Sequence, residues 1–130
     1  MSRKQARETA FKIVYGLVFD TINRDNDIAF DGQIPSSEQE YIDNVVNQVV
    51  SNLDHIDTVI QKYAKNFSFE RVFKIDLACL RLGIAEILYT DTPGPVAITS
   101  VVELAKKYST EKSASYVNGV LAAVFKAEVK

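Results

Sequence analysis

Apolar residues recur along this chain at spacings of three and four, which places them on one face of an α-helix. The pattern is clearest over residues 42–53 and 98–108, and similar patterns begin near Ala6, Ile56 and Val117. No stretch shows the sustained apolar–polar alternation of a half-buried β-strand. We therefore expect an all-α protein.

Residues 72–89 differ from the other segments because they are apolar on nearly every side. A helix of that kind lies at the centre of a bundle, enclosed by amphipathic helices. With five amphipathic segments to surround it, the expected architecture is a compact bundle of six to seven helices. The chain breaks divide them into two three-helix groups, which at 130 residues should share one core.

Polar residues and helix breakers mark the expected helix ends. The predicted N-caps of the second, third and fourth helices are Ser37 (with Glu40 at capping-box spacing), Asp54 and Ser68. Residues 92–95, Thr-Pro-Gly-Pro, separate the fourth helix from the fifth, and the polar residues 109–113 end the fifth and cap the sixth. The acidic loop from Asn23 to Ser36 is the longest irregular stretch, and its role stays open.

The residue inventory argues against an enzyme. The single Cys and single His exclude an intrachain disulfide and a cysteine-based zinc site, and no phosphate-cradling glycine motif is present. Cys79 is expected in the core and His55 on the surface near a helix start. Asp76 is expected to pair with a basic neighbour such as Arg81 or with a helix-end amide. We expect no catalysis, no cofactor and no metal.

The sequence shows no targeting segment and no apolar run long enough to span a membrane. A cytoplasmic location without membrane association is therefore the expectation.

The net charge of −2 conceals a segregation of charge along the chain. Residues 1–12 hold four basic residues against one acidic, and residues 103–130 hold five against three. Residues 13–102 hold six basic residues against thirteen acidic. Two basic ends therefore enclose an acidic middle, which suits a basic protein partner.

The first helix carries Arg3, Lys4 and Arg7 near its N-terminus, where the helix dipole disfavours cations by roughly 0.3–1 kcal/mol each. Arg3 and Arg7 are four residues apart and share a face. Two interpretations stand side by side. The residues belong either to a solvated, fraying terminus or to a cationic site for phosphates.

Four segments together resemble the NusB family of transcription antitermination factors. They are Ala-Arg-Glu-Thr-Ala-Phe-Lys-Ile-Val-Tyr at 6–15, the apolar helix at 75–87, Pro-Val-Ala-Ile-Thr-Ser-Val-Val-Glu-Leu-Ala-Lys-Lys-Tyr at 95–108, and Glu-Lys-Ser-Ala-Ser-Tyr-Val-Asn-Gly-Val-Leu at 111–121. They keep the family's order and spacing. The resemblance implies one NusB-like RNA-binding domain over residues 1–130, with two three-helix bundles.

The resemblance also implies a function. NusB proteins pair with NusE, a small-subunit ribosomal protein, and together they bind a single-stranded RNA element called boxA. The complex joins RNA polymerase and suppresses termination, notably in ribosomal RNA operons. No catalysis and no cofactor are involved.

Site residues follow from the resemblance position by position. The implied RNA-binding residues are Arg3, Lys4, Arg7, Tyr15, Lys112, Ser113 and Tyr116, and Glu86 is implied to contact the protein partner. Core packing is the alternative for Tyr116. We interpret Asn118–Gly119 as structural, with the glycine allowing helices to approach closely.

Other functions remain open. The first alternative is a homodimeric helical adapter whose RNA-binding face is occluded. A second, the RNA-binding domain of a methyltransferase, has little support because these 130 residues leave no room for a methyl-donor-binding domain.

Overall fold

The computed structural model describes residues 1–18, 34–64 and 73–129. These ranges contain six α-helices and no strand, which confirms the all-α prediction. The helices are α1 (Arg3–Leu17), α2 (Ser36–Ser51), α3 (Leu53–Tyr63), α4 (Lys74–Tyr89), α5 (Gly94–Tyr108) and α6 (Glu111–Glu128). Ser68 and most of the predicted acidic loop lie outside the described residues.

Helix α4 lies at the centre and packs against each of the other five helices. Its Leu80, Leu82 and Ile84 side chains are fully buried, which explains why the segment is apolar all round. Around it, α1 packs on α2, α2 on α3, and α5 on α6. Buried apolar residues from all six helices form one cluster. In the described ranges no helix combines the length and the apolarity that crossing a bilayer requires.

A glycine controls how closely α4 and α6 approach. A Cβ added at Gly83 would lie 2.6 Å from the Leu121 Cδ1 atom of α6, so only a glycine fits without displacing that buried leucine. The sequence assigns this role to Gly119 instead, and that interpretation is wrong. Gly119 is exposed, with no atom within 4 Å of the place where its Cβ would be. Asn118 is exposed as well.

Two of the predicted helix caps are also wrong. Helix α2 begins one residue before Ser37 and follows Pro35, and no side chain caps it. Helix α3 follows α2 after a single residue, Asn52, whose carbonyl accepts the first helical hydrogen bond from Ile56 at 2.8 Å. Because the chain turns within that one residue, Asp54 already lies inside the first turn of α3.

The connection between α5 and α6 follows the prediction. Ser109 ends α5, and the Thr110 hydroxyl oxygen caps α6 by accepting a hydrogen bond from the Ser113 backbone N–H at 2.9 Å. This cap holds the start of α6 directly after the end of α5.

Candidate nucleic-acid interface

The basic start of α1 is held by a capping box. The Gln5 backbone N–H donates to the Ser2 hydroxyl oxygen at 3.1 Å, and the Ser2 backbone N–H donates to the Gln5 side-chain oxygen at 2.8 Å. Each bond satisfies a backbone donor that the helix itself leaves unpaired. The capping hydrogen bonds stabilise the first turn of α1 and so offset the unfavourable interaction of its cations with the helix dipole. They argue against a fraying terminus.

Arg3 and Lys4 lie on this capped turn and are accessible. The Lys4 side chain is 81% exposed, with its Nζ atom 3.9 Å from a Glu103 carboxylate oxygen. The Arg3 side chain is 49% exposed, donates to Glu38 at 2.7 Å and lies 4.3 Å from the centre of the Tyr41 ring. Exposed pairs of this kind are worth about 1 kcal/mol or less, so both cations can exchange partners easily.

Arg7, the third predicted RNA-binding cation, is buried. Its Nε atom donates to Glu86 Oε2 at 2.8 Å, and its Nη2 atom donates to Glu86 Oε1 at 3.0 Å. The Tyr41 and Thr92 hydroxyls donate to the same carboxylate at 2.9 Å and 3.2 Å. Burial raises the pKa of Tyr41, and the adjacent carboxylate raises it further. We call Arg7, Glu86, Tyr41 and Thr92 the buried network.

The buried network changes the interpretation of two site residues. The Arg7 side chain is 6% exposed and that of Glu86 is 0% exposed, so in this conformation neither reaches RNA or a partner protein. The pair ties α1 to the end of α4, and its two hydroxyl donors extend it to α2 and to the connection before α5. Arg7 and Glu86 therefore hold α1, α2 and the connection before α5 in place against α4.

A groove of about 270 Å³ runs between α1 and α5 and carries a local excess of basic residues. Its lining residues are Lys4, Arg7, Glu8, Ser100, Glu103, Leu104, Lys106 and Lys107. Within it, Lys107 Nζ donates to Glu8 Oε1 at 2.7 Å, and the Tyr108 hydroxyl donates to the same oxygen. Sequence reasoning assigns no site role to Lys106 and Lys107, because their position beside α1 depends on helix packing.

Aromatic rings continue from this groove along α1. The Tyr108 ring stacks on Phe11 with a centroid distance of 5.2 Å, and Phe11 stacks on Tyr15 at 6.2 Å. Phe11 is buried, whereas Tyr15 is half-buried, with part of its surface open to solvent. Tyr15 therefore lies on α1 at the outer end of a row of three rings.

The start of α6 brings the remaining predicted residues to the end of α5. Lys112 is exposed, whereas Ser113 is buried in the first turn below the Thr110 cap. Tyr116 is half-buried and packs against the core, and burial raises its pKa, to which the nearby Asp76 carboxylate adds. Of these residues Lys112 is the most accessible to a ligand.

For residues outside this surface, two sequence predictions are confirmed and one ion pair is predicted wrongly. Cys79 is fully buried and His55 is exposed, as expected. Asp76 does not pair with Arg81, because Arg81 makes a bidentate ion pair with Asp57 at 2.9 Å. In the described part of the chain, no group of three or more His, Cys, Asp or Glu side chains could hold a metal ion.

Comparison with known proteins agrees with this picture. A model of the NusB family matches residues 4–126. The chain belongs to the NusB family. The transcription antitermination protein NusB of Natranaerobius thermophilus is 41% identical over 128 residues, which cover 93% of this chain and 92% of that protein. The protein of the same name from Ruminiclostridium cellulolyticum is 41% identical over 133 residues, covering 99% and 92%.

Solved structures of NusB proteins share the fold. A crystal structure of the antitermination factors NusB and NusE in complex with double-stranded RNA contains a chain with a TM-score of 0.86 and 31% identity, covering 96% of each chain. NusB of T. maritima has a TM-score of 0.84 and 30% identity, over 98% of this chain and 92% of that one. The family resemblance found in the sequence is therefore confirmed.

Proposed function

We propose that this NusB-family chain is an antitermination factor that binds boxA RNA together with NusE. The bound complex joins the RNA polymerase elongation complex and supports processive transcription of ribosomal RNA operons. The observation that carries the proposal is the pair of exposed cations, Arg3 and Lys4, on a capped first turn beside the α1–α5 groove. A solved relative that contains NusB, NusE and RNA supports it.

The accessible residues divide the work of RNA binding. Arg3, Lys4 and Lys112 meet backbone phosphates, and the open part of the Tyr15 ring stacks on an unpaired base. Tyr116 contributes mainly by packing at the start of α6. Arg7 and Ser113 act indirectly, because one holds α1 on α4 and the other closes the first turn of α6.

NusE, as a basic ribosomal protein, is proposed to bind the groove between α1, α2 and the connection before α5. This groove of about 600 Å³ has Glu40, Asp91, Tyr41 and Val96 in its lining, and Arg3 and Arg7 line its α1 side, next to the proposed RNA surface. The Val96 side chain is half-exposed and the two carboxylates face solvent. Glu86 lies beneath this groove and influences the partner through Tyr41 and Thr92.

RNA binding is tested by titrating boxA RNA with and without NusE at several salt concentrations. Lys4→Ala should weaken binding and make the slope of log K against log salt shallower by about 0.7, the value for one phosphate contact on single-stranded RNA. The matched control is Lys126→Ala, which removes the same charge roughly 20 Å along α6 from Lys112. Equal affinities for both variants would contradict the placement of the RNA.

Partner binding is tested by titration calorimetry with purified NusE. Val96→Lys places a cation in the proposed groove and should weaken association with a basic partner. Val50→Lys makes the same change at an equally exposed valine on α2 and should leave association unchanged. If both variants bind NusE as the unmodified chain does, the partner lies elsewhere. Transcription through a terminator on a boxA template tests the final step.

A further inference from the structure

Glu8 is the only acidic residue among the first twelve, and it lies in the α1–α5 groove, whose lining holds four basic residues and two acidic ones. Its side chain is only 20% exposed. One carboxylate oxygen receives hydrogen bonds from the Lys107 ammonium group and the Tyr108 hydroxyl. The carboxylate thus occupies a place where two donors from α5 converge beside α1.

An ammonium group and a hydroxyl that converge on one anionic oxygen suit a phosphate oxygen equally well. The Lys107 side chain is 60% exposed and can turn outward, whereas Tyr108 is held by its stacking on Phe11. Lys106 on the same groove is exposed, and Lys4 lies across it on α1. Ion pairing lowers the pKa of Glu8, so the carboxylate stays charged at neutral pH.

We propose that Lys107 and Tyr108 form a subsite for an RNA backbone phosphate, and that Glu8 occupies this subsite in the free protein. This inference rests on the proposed RNA-binding function and extends it to α5. When RNA binds, Lys107 exchanges the Glu8 carboxylate for a phosphate oxygen. Glu8 then lies unpaired beside the RNA, so its presence lowers the affinity of this surface.

The chain offers a matched control at the C-terminal end of α6. There Tyr63 donates to Glu128 at 2.7 Å, with Lys62 Nζ 3.9 Å from the same carboxylate oxygen. This is again a glutamate held by a consecutive lysine and tyrosine, but it lies outside the α1–α5 groove. Glu128→Gln therefore removes one negative charge and one ion pair of the same kind, but it leaves the proposed subsite unchanged.

The test is a boxA RNA titration with NusE present, at low and at moderate salt. Glu8→Gln should bind roughly two- to fivefold more tightly at low salt, the range expected for one exposed ion pair. The slope of log K against log salt should stay close to that of the unmodified chain, because Lys107 meets one phosphate in both complexes, and adding Lys107→Gln should make it shallower by about 0.7. Glu128→Gln should match the unmodified chain.

Adding Lys107→Gln to Glu8→Gln tests for a local subsite, and the double variant should lose the gain because the group that meets the phosphate is gone. Using Lys126→Gln in place of Lys107→Gln restores the same net charge away from the groove and should keep the gain, which separates the subsite from a general charge effect. The inference is overturned if Glu8→Gln and Glu128→Gln bind alike, or if the double variant with Lys107→Gln keeps the gain. If the unmodified chain itself fails to bind boxA RNA with NusE, the proposed function fails instead.

Discussion

The buried network gives the sharpest test of how this fold is held together. Replacing Glu86 by Gln keeps the size and shape of the side chain but removes the charge that opposes Arg7. The carboxylate accepts four hydrogen bonds, one through Oε2 and three through Oε1. An amide has only one acceptor oxygen, and its NH₂ group would face at least one of the donors.

The expected loss of stability is large because both side chains are at least nine-tenths buried. Removing one partner of a buried ion pair leaves an uncompensated charge and costs about 3–5 kcal/mol. A domain of this kind has a total stability of only about 5–15 kcal/mol. By contrast, Glu38→Gln breaks the half-exposed pair with Arg3 and should cost about 1 kcal/mol or less.

Urea unfolding followed by circular dichroism measures both variants. With an m value of roughly 1–3 kcal/mol per molar urea, the midpoint of Glu86→Gln should fall by at least about 1 M. Combining Glu86→Gln with Arg7→Met removes both charges and should cost less than the sum of the single changes. The reasoning is refuted if Glu86→Gln unfolds at the same urea concentration as Glu38→Gln, or if the double variant shows simple additivity.

Three further predictions concern packing, reactivity and pH. Gly83→Ala should lose about 1–3 kcal/mol in urea unfolding because its Cβ meets Leu121, whereas Gly119→Ala in open space should gain about 0.4–1 kcal/mol; equal effects would contradict the packing. Burial raises the pKa of Cys79 to about 12, so a thiol reagent should label it only in denaturant, and rapid native labelling would refute this. Hydrogen bonding to Lys107 lowers the pKa of Glu8 from its usual 4.5. The stability difference between the unmodified chain and Glu8→Gln should therefore be complete at pH 7 and shrink as the pH falls below about 4.5, and a difference that persists at pH 2 would contradict this.

Local features of the sequence sufficed for the helices and their order. Spacings of three and four residues identify five amphipathic segments, and the lack of a polar face on α4 indicates its central place. The basic turn of α1 and the break at residues 92–95 are likewise visible without a structure. These features depend on residues close together in the chain, so the sequence records them directly.

The helix starts show where local rules fail. Ser37 and Asp54 are residue types that favour the N-cap position. Helix α2 nevertheless begins after a proline, and α3 begins after a single connecting residue. A favourable cap is worth only about 1 kcal/mol. The packing of α2 and α3 against α4 decides where the chain turns and overrides that preference.

The sequence by itself determined that this is an all-helical chain with a cationic first turn, and its motifs indicated the NusB family. Only the tertiary structure decided which cations are available. Arg3 and Arg7 share a helical face by spacing, but Arg7 meets Glu86, which lies 79 residues away, and is removed from the surface. In the same way Glu8 meets Lys107 across the α1–α5 groove. The physical reason is that water screens an exposed charge, whereas a buried charge needs a compensating partner. Which residue becomes that partner depends on how the helices pack.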